Sequence, residues 1–339
     1  MMVSEKKTLN RIAIVIPYYG KLPQYFNYFL KSISGKIFDV LFVSDLKVED
    51  YPENFRPVII SINELKIRFE SKLGVEISLV HAYKLCDYRP MYGVLMEDVL
   101  SSYSYWGWGD CDVIYGREMN RMLDRLMAFN YDVISLNEHW VSGSFALLRN
   151  TETCRHLFES AKNLVQVYKS EQNQVFDEIG GWWHHALRDG RMSFAECEQR
   201  NDSFTAVVRR SSLLFFHENL NCEEDLRHEV ILMRKDGALF WGDKEIPMFH
   251  FIEIKNGVFK YGLVFQPVIK VGTYRITRFG FFCSNFTWRL RYLIMAYRWS
   301  LFELAIIRFY LAHARRVGLS RTISSFCRQS LNRIRRMVT

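Results

Sequence analysis

The segment Arg11–Pro17, RIAIVIP, constrains the fold of this chain more than any other. It is a β-branched run without polar alternation, stopped by Pro17 and a Tyr18-Tyr19-Gly20 turn, and it reads as a buried parallel strand. Phe38–Val43 (FDVLFV) repeats the pattern and ends at Ser44-Asp45, and Pro57–Ile62 supplies a third strand. Leu22–Ser34 carries Tyr25, Phe26, Phe29 and Leu30 at helical spacing. Asn63 is expected to cap a further helix that runs to about Leu73 and stops at Gly74. Strand, helix, strand, strand, helix in that order predicts a three-layer α/β domain with a mostly parallel, Rossmann-like central sheet.

Further along, the pattern predicts helices over Tyr92–Leu100, Glu118–Phe129 and Thr151–Tyr168. It predicts strands over Tyr131–Leu136, Phe145–Leu148, Arg209–Phe216, Leu239–Trp241 and Pro247–Ile254, with Lys235-Asp236-Gly237 as a hairpin turn. With 49% hydrophobic residues the chain can build a large core. Its seven cysteines (86, 111, 154, 197, 222, 283 and 327) are scattered without CxxC spacing, which points to reduced structural thiols in a cytosolic setting and away from a zinc site. Met1–Asn10 is polar, with none of the apolar core of a secretory signal.

The chemistry is concentrated in Trp106-Gly107-Trp108-Gly109-Asp110-Cys111-Asp112. Carboxylates at i and i+2 on an extended strand point to opposite faces. At a turn they can converge on one divalent ion, and their hard oxygens suit Mn²⁺ or Mg²⁺, which can bridge to phosphate. An acid pair of this kind is by itself weak; Gly107, Gly109 and Gly116 are expected to let a ligand approach the backbone closely, and Trp106 and Trp108 are costly beside charge. Upstream, Lys84 and Arg89 flank Asp87 and can clamp phosphates, with a surface salt-bridge loop as the alternative. Downstream, His250 lies in an apolar strand where it is either a core histidine or a third ligand of the same ion, and Lys255 follows it.

In combination these blocks resemble the GT-A class of glycosyltransferases, and more closely a poorly characterised bacterial set from capsule and lipopolysaccharide gene clusters. The resemblance rests on Lys84–Gly93 (K-x-C-D-x-R-P-x-Y-G), Trp106–Gly116 (W-G-x-x-D-x-D-x-x-x-G), Ser142-Gly143-Ser144, Phe176-Asp177-Glu178 and His250–Lys255 (H-F-x-x-x-K). It covers roughly residues 10–270. It implies a GT-A fold and a nucleotide-sugar donor, UDP being the commonest. Pro17, Tyr18 and Tyr19 would line the nucleotide, with Asp45 on its ribose or base, and Lys84, Asp87, Arg89, Asp110 and Lys255 would complete the nucleotide-sugar site. The resemblance further implies Asp110, Asp112 and His250 around Mn²⁺ or Mg²⁺.

For the acid/base group the expectation is Asp177 first and Glu178 second, since they open a segment rich in aromatics (Trp182, Trp183) and histidines (His184, His185) that suits a sugar platform with a general base; a dipole-favoured acid pair at a helix start is the alternative. His139, Trp140, Gly143 and Ser144 are expected to contact the acceptor or the donor sugar.

Charge divides the chain into a catalytic domain, 1–280, and a basic tail, 281–339. From Phe286 onward there are eleven arginines, no lysine and one acid, Glu303, a net +10 against +8 for the whole chain. On a helical wheel, 320–338 gathers Arg321, Arg328, Arg335 and Arg336 opposite Ile323, Phe326, Leu331 and Ile334. No uncharged run in 288–316 approaches a membrane span. Residues 286–339 are therefore expected to dock as amphipathic helices on an anionic membrane surface, placing the protein peripherally on the inner, cytoplasmic face of the cell membrane. Nothing resembles a nucleic-acid reading motif. The expected activity is sugar transfer to a lipid-linked or growing cell-surface glycan. The competing readings are a nucleotidyltransferase, for which Tyr18-Tyr19-Gly20-Lys21 is a poor phosphate loop, and a non-catalytic scaffold of a polysaccharide assembly complex.

Overall fold

A computed structural model describes residues 11–220, 222, 226, 231–256, 263–265, 273–283 and 297. The chain divides into two compact units, Met1–Phe282 and Cys283–Thr339. The tail assigned to the membrane, 286–339, lies outside the described residues except for Tyr297. No helix among the described residues is long and apolar enough to cross a membrane.

The first unit is built on a seven-stranded mixed sheet. Its strands are β1 (Ile12–Pro17), β2 (Phe38–Ser44), β3 (Phe55–Ile59), β4 (Tyr105–Gly109), β6 (Val133–Ser135), β7 (Phe145–Arg149) and β8 (Phe215–His217), in the order β3-β2-β1-β4-β7-β6-β8. Four of its six junctions are parallel; β7 alone runs against its neighbours β4 and β6. A short strand β5 (Val113–Tyr115) pairs outside this sheet.

Alternate residues of the central strands feed two separate cores, which is why RIAIVIP carries no polar alternation. Ala13, Val15, Leu41, Val43, Trp106 and Trp108 face one side, where they meet α2 (Ile62–Leu73), a 3₁₀ segment (Ala82–Met91) and α3 (Tyr92–Leu95). Ile12, Ile14, Ile16, Phe38, Val40 and Phe42 face the other, under α1 (Phe26–Ile33) and α5 (Glu118–Ala128). Both faces are covered, and the α/β expectation with a largely parallel sheet holds.

Several local expectations do not. Ser61, not Asn63, caps α2: its side chain accepts from Glu64 N and the Glu64 carboxylate returns a bond to Ser61 N, a complete capping box. Gly74 closes the same helix in the left-handed region, φ 67°. The predicted helix Tyr92–Leu100 is two single turns, α3 and α4 (Glu97–Leu100), broken at Met96. The predicted helix Thr151–Tyr168 is α6 (Glu152–Arg155), a 3₁₀ turn and α7 (Leu164–Lys169). Here Lys162 N and Asn163 Nδ2 bond to Asp202 instead of continuing the helix, so tertiary contacts override the periodicity.

Arg209–Phe216 is mostly not strand. After α8 (His184–Arg188) and α9 (Phe194–Arg200), Ser203 caps α10 (Phe204–Arg210), and only then does β8 begin.

A second sheet has six strands: β9 (Ile231–Met233), β10 (Leu239–Trp241), β11 (Lys244–Glu245), β13 (Val264–Phe265), β14 (Tyr274–Thr277) and β15 (Gly280–Cys283). The predicted strand Pro247–Ile254 is β12 (Met248–His250) followed by α11 (Ile252–Asn256). Among the described residues the β12 strand pairs only with β5, as a two-stranded antiparallel ribbon.

The glycines and tryptophans of the aromatic approach have a structural task here. Trp106 and Trp108 are fully buried core residues, and Trp108 Nε1 donates to Ser142 O at 2.9 Å. A Cβ on Gly107 would collide with Ala146 O of the neighbouring strand, so the close approach is between β4 and β7 and not with a ligand. Gly107→Ala should cost about 1–3 kcal/mol by overpacking, read as a lowered midpoint of denaturant unfolding. A midpoint equal to the wild type would contradict this reading of the β4–β7 junction.

Candidate active site

The chain leaves β1 for β2 and β3 on one side and later returns as β4 on the other side of β1. This reversal is a switch point of an open α/β sheet, where ligands bind beyond the carboxyl ends of the strands. Pro17 ends β1, with Tyr18 and Tyr19 following it, and Asp110, Cys111 and Asp112 follow β4 in a turn that suspends the strand alternation. Both groups line one cleft of about 850 Å³.

The β5–β12 ribbon supplies the third ligand. Its register sets Met248 against Tyr115 and His250 against Val113, and Phe251 N donates to Asp112 O at 3.2 Å. His250 Nε2 therefore lies 3.5 Å from Asp112 Oδ1. One ligand atom from each of Asp110, Asp112 and His250 can be chosen so that all three lie within 4.8 Å of one another. This is a buried cluster that can hold a metal ion: two hard oxygens and an imidazole nitrogen are a donor set a divalent cation accepts. One turn of α11 then brings Lys255 Nζ to donate to Asp112 Oδ2.

Charge is balanced locally. Burial pushes the Asp112 carboxyl up, but His250 and Lys255 pull harder and hold it below the usual carboxylate range. For Asp110 burial prevails and its pKa is raised, with Arg89 pulling against it. Arg89 reaches both Asp110 and Asp177, the latter at 2.8 Å. Burial opposes its charge, yet the two carboxylates keep it protonated.

Of the residues assigned from sequence, Pro17, Tyr18, Tyr19, Arg89, Asp110, Asp112, Trp140, Gly143, Ser144, Glu178, His250 and Lys255 line the cleft. Lys84 and Asp87 do not. Both side chains are fully buried and paired at 2.7 Å, and Lys84 also donates to Val167 O and Gln172 O. Asp87 accepts from Gln174 N and Phe176 N. Their expected place on a diphosphate is corrected: they anchor the segment that carries Asp177 and Glu178. Asp177 is itself buried against Arg89 and outside the cleft lining, and burial pushes its carboxyl up. Asp45 is exposed beyond the end of β2, within electrostatic reach of Tyr19 but outside the lining. His139 sits 3.2 Å from Glu138 and packs on Trp140 behind the cleft wall.

The sequence reasoning missed Tyr25, Tyr83, Cys86 and Arg188 as lining residues. Tyr83 and Cys86 fall in the K-x-C-D-x-R block, which is a 3₁₀ segment; at three residues per turn Tyr83, Cys86 and Arg89 share a face. That periodicity was available in the spacing.

Of the neighbouring acids Asp177 and Glu178, Glu178 is the one that lines the cleft. It accepts from Gly143 N at 2.9 Å and pairs with His184 Nε2 at 2.9 Å. A Cβ on Gly143 would lie 2.9 Å from Glu178 Oε1 and from Arg89 Nη1, so glycine is what lets these groups converge. Burial pushes Glu178 up, but His184, the Gly143 N–H and Arg89 bring it down to about 2 from an ordinary 4.5. A depressed acid stabilises the folded state fully above its unfolded pKa and loses that contribution as pH falls through the folded value. The wild type should therefore lose stability more steeply than Glu178→Gln as pH falls from about 4.5 toward 2. Denaturation midpoints against pH measure this, and parallel curves would disprove it.

Residues 14–254, more than half of the chain and the whole of this cleft apart from Lys255, match a family described as a family of unknown function, DUF6625. No curated protein matches the chain. The chain belongs to the DUF6625 family.

Proposed function

We propose that the protein is a metal-dependent glycosyltransferase of the GT-A kind, moving a sugar from a nucleotide-sugar, first among them a UDP-sugar, to a glycan or glycolipid acceptor. The observation that carries this reading is the convergence of Asp110, Asp112, His250, Lys255 and Arg89 in one cleft at the switch point of the sheet. Three metal-binding groups with two cations beside them suit a diphosphate better than a neutral substrate.

Asp110, Asp112 and His250 would hold the cation, and the imidazole beside two carboxylates leans toward Mn²⁺ over Mg²⁺. Its chemistry there is to neutralise charge on a departing diphosphate. Lys255 and Arg89 are the protein's own cations for that charge, in place of Lys84. Tyr18 and Tyr19 offer aromatic walls to the nucleotide at the end of β1. Glu178, in the cleft lining with His184 on it, is the carboxylate placed to take a proton from an acceptor hydroxyl, a place Asp177 does not occupy while it is buried on Arg89.

Calorimetry of the protein with UDP-, GDP- and CMP-sugars, with and without Mn²⁺, tests the reading. Binding of one class, strengthened by Mn²⁺, is the expected result; no binding of any nucleotide-sugar under either condition would end the transferase proposal. Asp112→Asn should abolish the metal dependence and lower turnover at least about 100-fold. Unchanged turnover would remove the metal assignment.

We also propose peripheral membrane attachment through residues 286–339, on the inner membrane face where lipid-linked glycans are assembled. Its support is the +10 charge combined with apolar, aromatic stretches. The full chain should sediment with vesicles containing anionic lipid, not with purely zwitterionic ones, and replacing Arg328, Arg333, Arg335 and Arg336 by Gln should release it. Equal binding to both vesicle types would count against it.

A further inference from the structure

Tyr83 and Trp182 are 55% and 64% exposed, yet their rings stack at 6.2 Å with only 8° between planes. Both line the cleft. Neither belongs to a core cluster, so holding two large rings parallel in water serves no packing purpose visible in the fold.

The aromatic surface continues inward. Trp182 is 6.3 Å from the His184 ring, His184 meets Trp140 edge-on at 5.0 Å, and the Arg188 guanidinium lies 5.8 Å over Trp140. The result is a stepped aromatic wall, flat only at the Tyr83–Trp182 stack and rimmed by hydrogen-bonding groups, and Glu178 bonds to it through His184.

We propose that this wall is a carbohydrate subsite, with the Tyr83–Trp182 stack taking the apolar C–H face of a hexopyranose and its hydroxyls reaching His184 and Arg188. A pyranose fits because its faces are apolar while its hydroxyls project near the ring plane, matching aromatic walls with polar rims. A nucleobase also stacks on aromatic rings, but Lys255, paired with Asp112, lies within electrostatic reach of Tyr18 at the β1 end of the cleft. Trp182 instead shares its segment with Glu178 and His184.

Assigning this sugar the acceptor role rests on the transferase reading; its binding does not. In that role its hydroxyl oxygen bonds to the donor's anomeric carbon while the bond from that carbon to the diphosphate oxygen breaks. The diphosphate leaves with the electron pair, and the hydroxyl proton passes to the Glu178–His184 pair.

The test is calorimetry and saturation-transfer NMR on the full chain with methyl glycosides of glucose, galactose, mannose and N-acetylglucosamine, and in parallel with UDP plus Mn²⁺. At least one glycoside should bind, with its C–H face protons receiving the strongest transfer. Trp182→Ala and Tyr83→Ala should each weaken it at least about fivefold, Trp182→Phe should restore most of the loss, and UDP affinity should be unchanged in all three. Both rings are exposed, so these variants retain the core, which circular dichroism verifies.

Absence of binding by every glycoside, or binding indifferent to Trp182→Ala, would overturn the proposal. So would a fall in UDP affinity in that variant, which would make the wall a base site. Glycoside binding that depends on Trp182, without any UDP binding, would uphold the sugar wall while removing the transferase reading.

Discussion

The three-residue ribbon between β5 and β12 is the contact on which the site depends. It joins segments well over a hundred residues apart and fixes His250 and Lys255 against Asp112. A two-stranded ribbon is marginal on its own in water. This one is held because Val113, Tyr115 and Met248 are buried in the same core cluster as α1 and β1. Gly116 N donates to Pro247 O at 2.7 Å and closes the other end. The spacing of the metal-binding groups is thus set by core packing, and a cavity opened under α1 would loosen the ligands without touching them.

A second constraint is that the buried acids around the cleft meet cations. Lys84 serves Asp87, Arg89 serves Asp110 and Asp177, Lys255 serves Asp112, and His184 lies on Glu178. Buried pairs of this kind add little net stability, but removal of one partner is costly because it strands the other. They therefore specify position. The K-x-C-D-x-R block splits accordingly: Lys84 and Asp87 turn inward to anchor the 174–178 segment, while Arg89 turns to the cleft. A single motif does two jobs because its 3₁₀ winding sends residues three apart, Tyr83, Cys86 and Arg89, to one side and leaves Lys84 and Asp87, also three apart, on another.

Much of this was legible from residues alone. The continuous apolar runs of β1 and β2 announce a sheet covered on both faces, because no half-exposed strand tolerates them. The acid pair after β4 and the late histidine, each weak by itself, are brought together in the fold as a cluster that can hold a metal ion. What was not legible depended on tertiary contacts. The break of the 151–168 helix follows from Asp202, forty residues away in sequence, claiming Lys162 N. The burial of Lys84 follows from carbonyls at 167 and 172. Gly107 before the acid pair looked like room for a ligand and turned out to be room for β7, while Gly109 makes room for Ile14 and Tyr115, since a glycine reports a close approach without naming what approaches.

The adjacent acids Asp177 and Glu178 show how far such reasoning reaches. From sequence they are interchangeable, and the first looked the better base. In the fold Asp87 holds Gln174 N and Phe176 N, which fixes the turn that follows and sends consecutive side chains in different directions. Asp177 is turned onto Arg89 and spends its charge on keeping that cation in place beside Asp110. Glu178 is turned to the cleft, where the Gly143 N–H and His184 keep it ionised despite its burial. The two acids therefore differ in access: Glu178 lines the cleft, whereas Asp177 is shut behind its ion pair with Arg89. Thus the buried pair that looks structural, Lys84 and Asp87, sets which of two neighbouring acids lines the cleft.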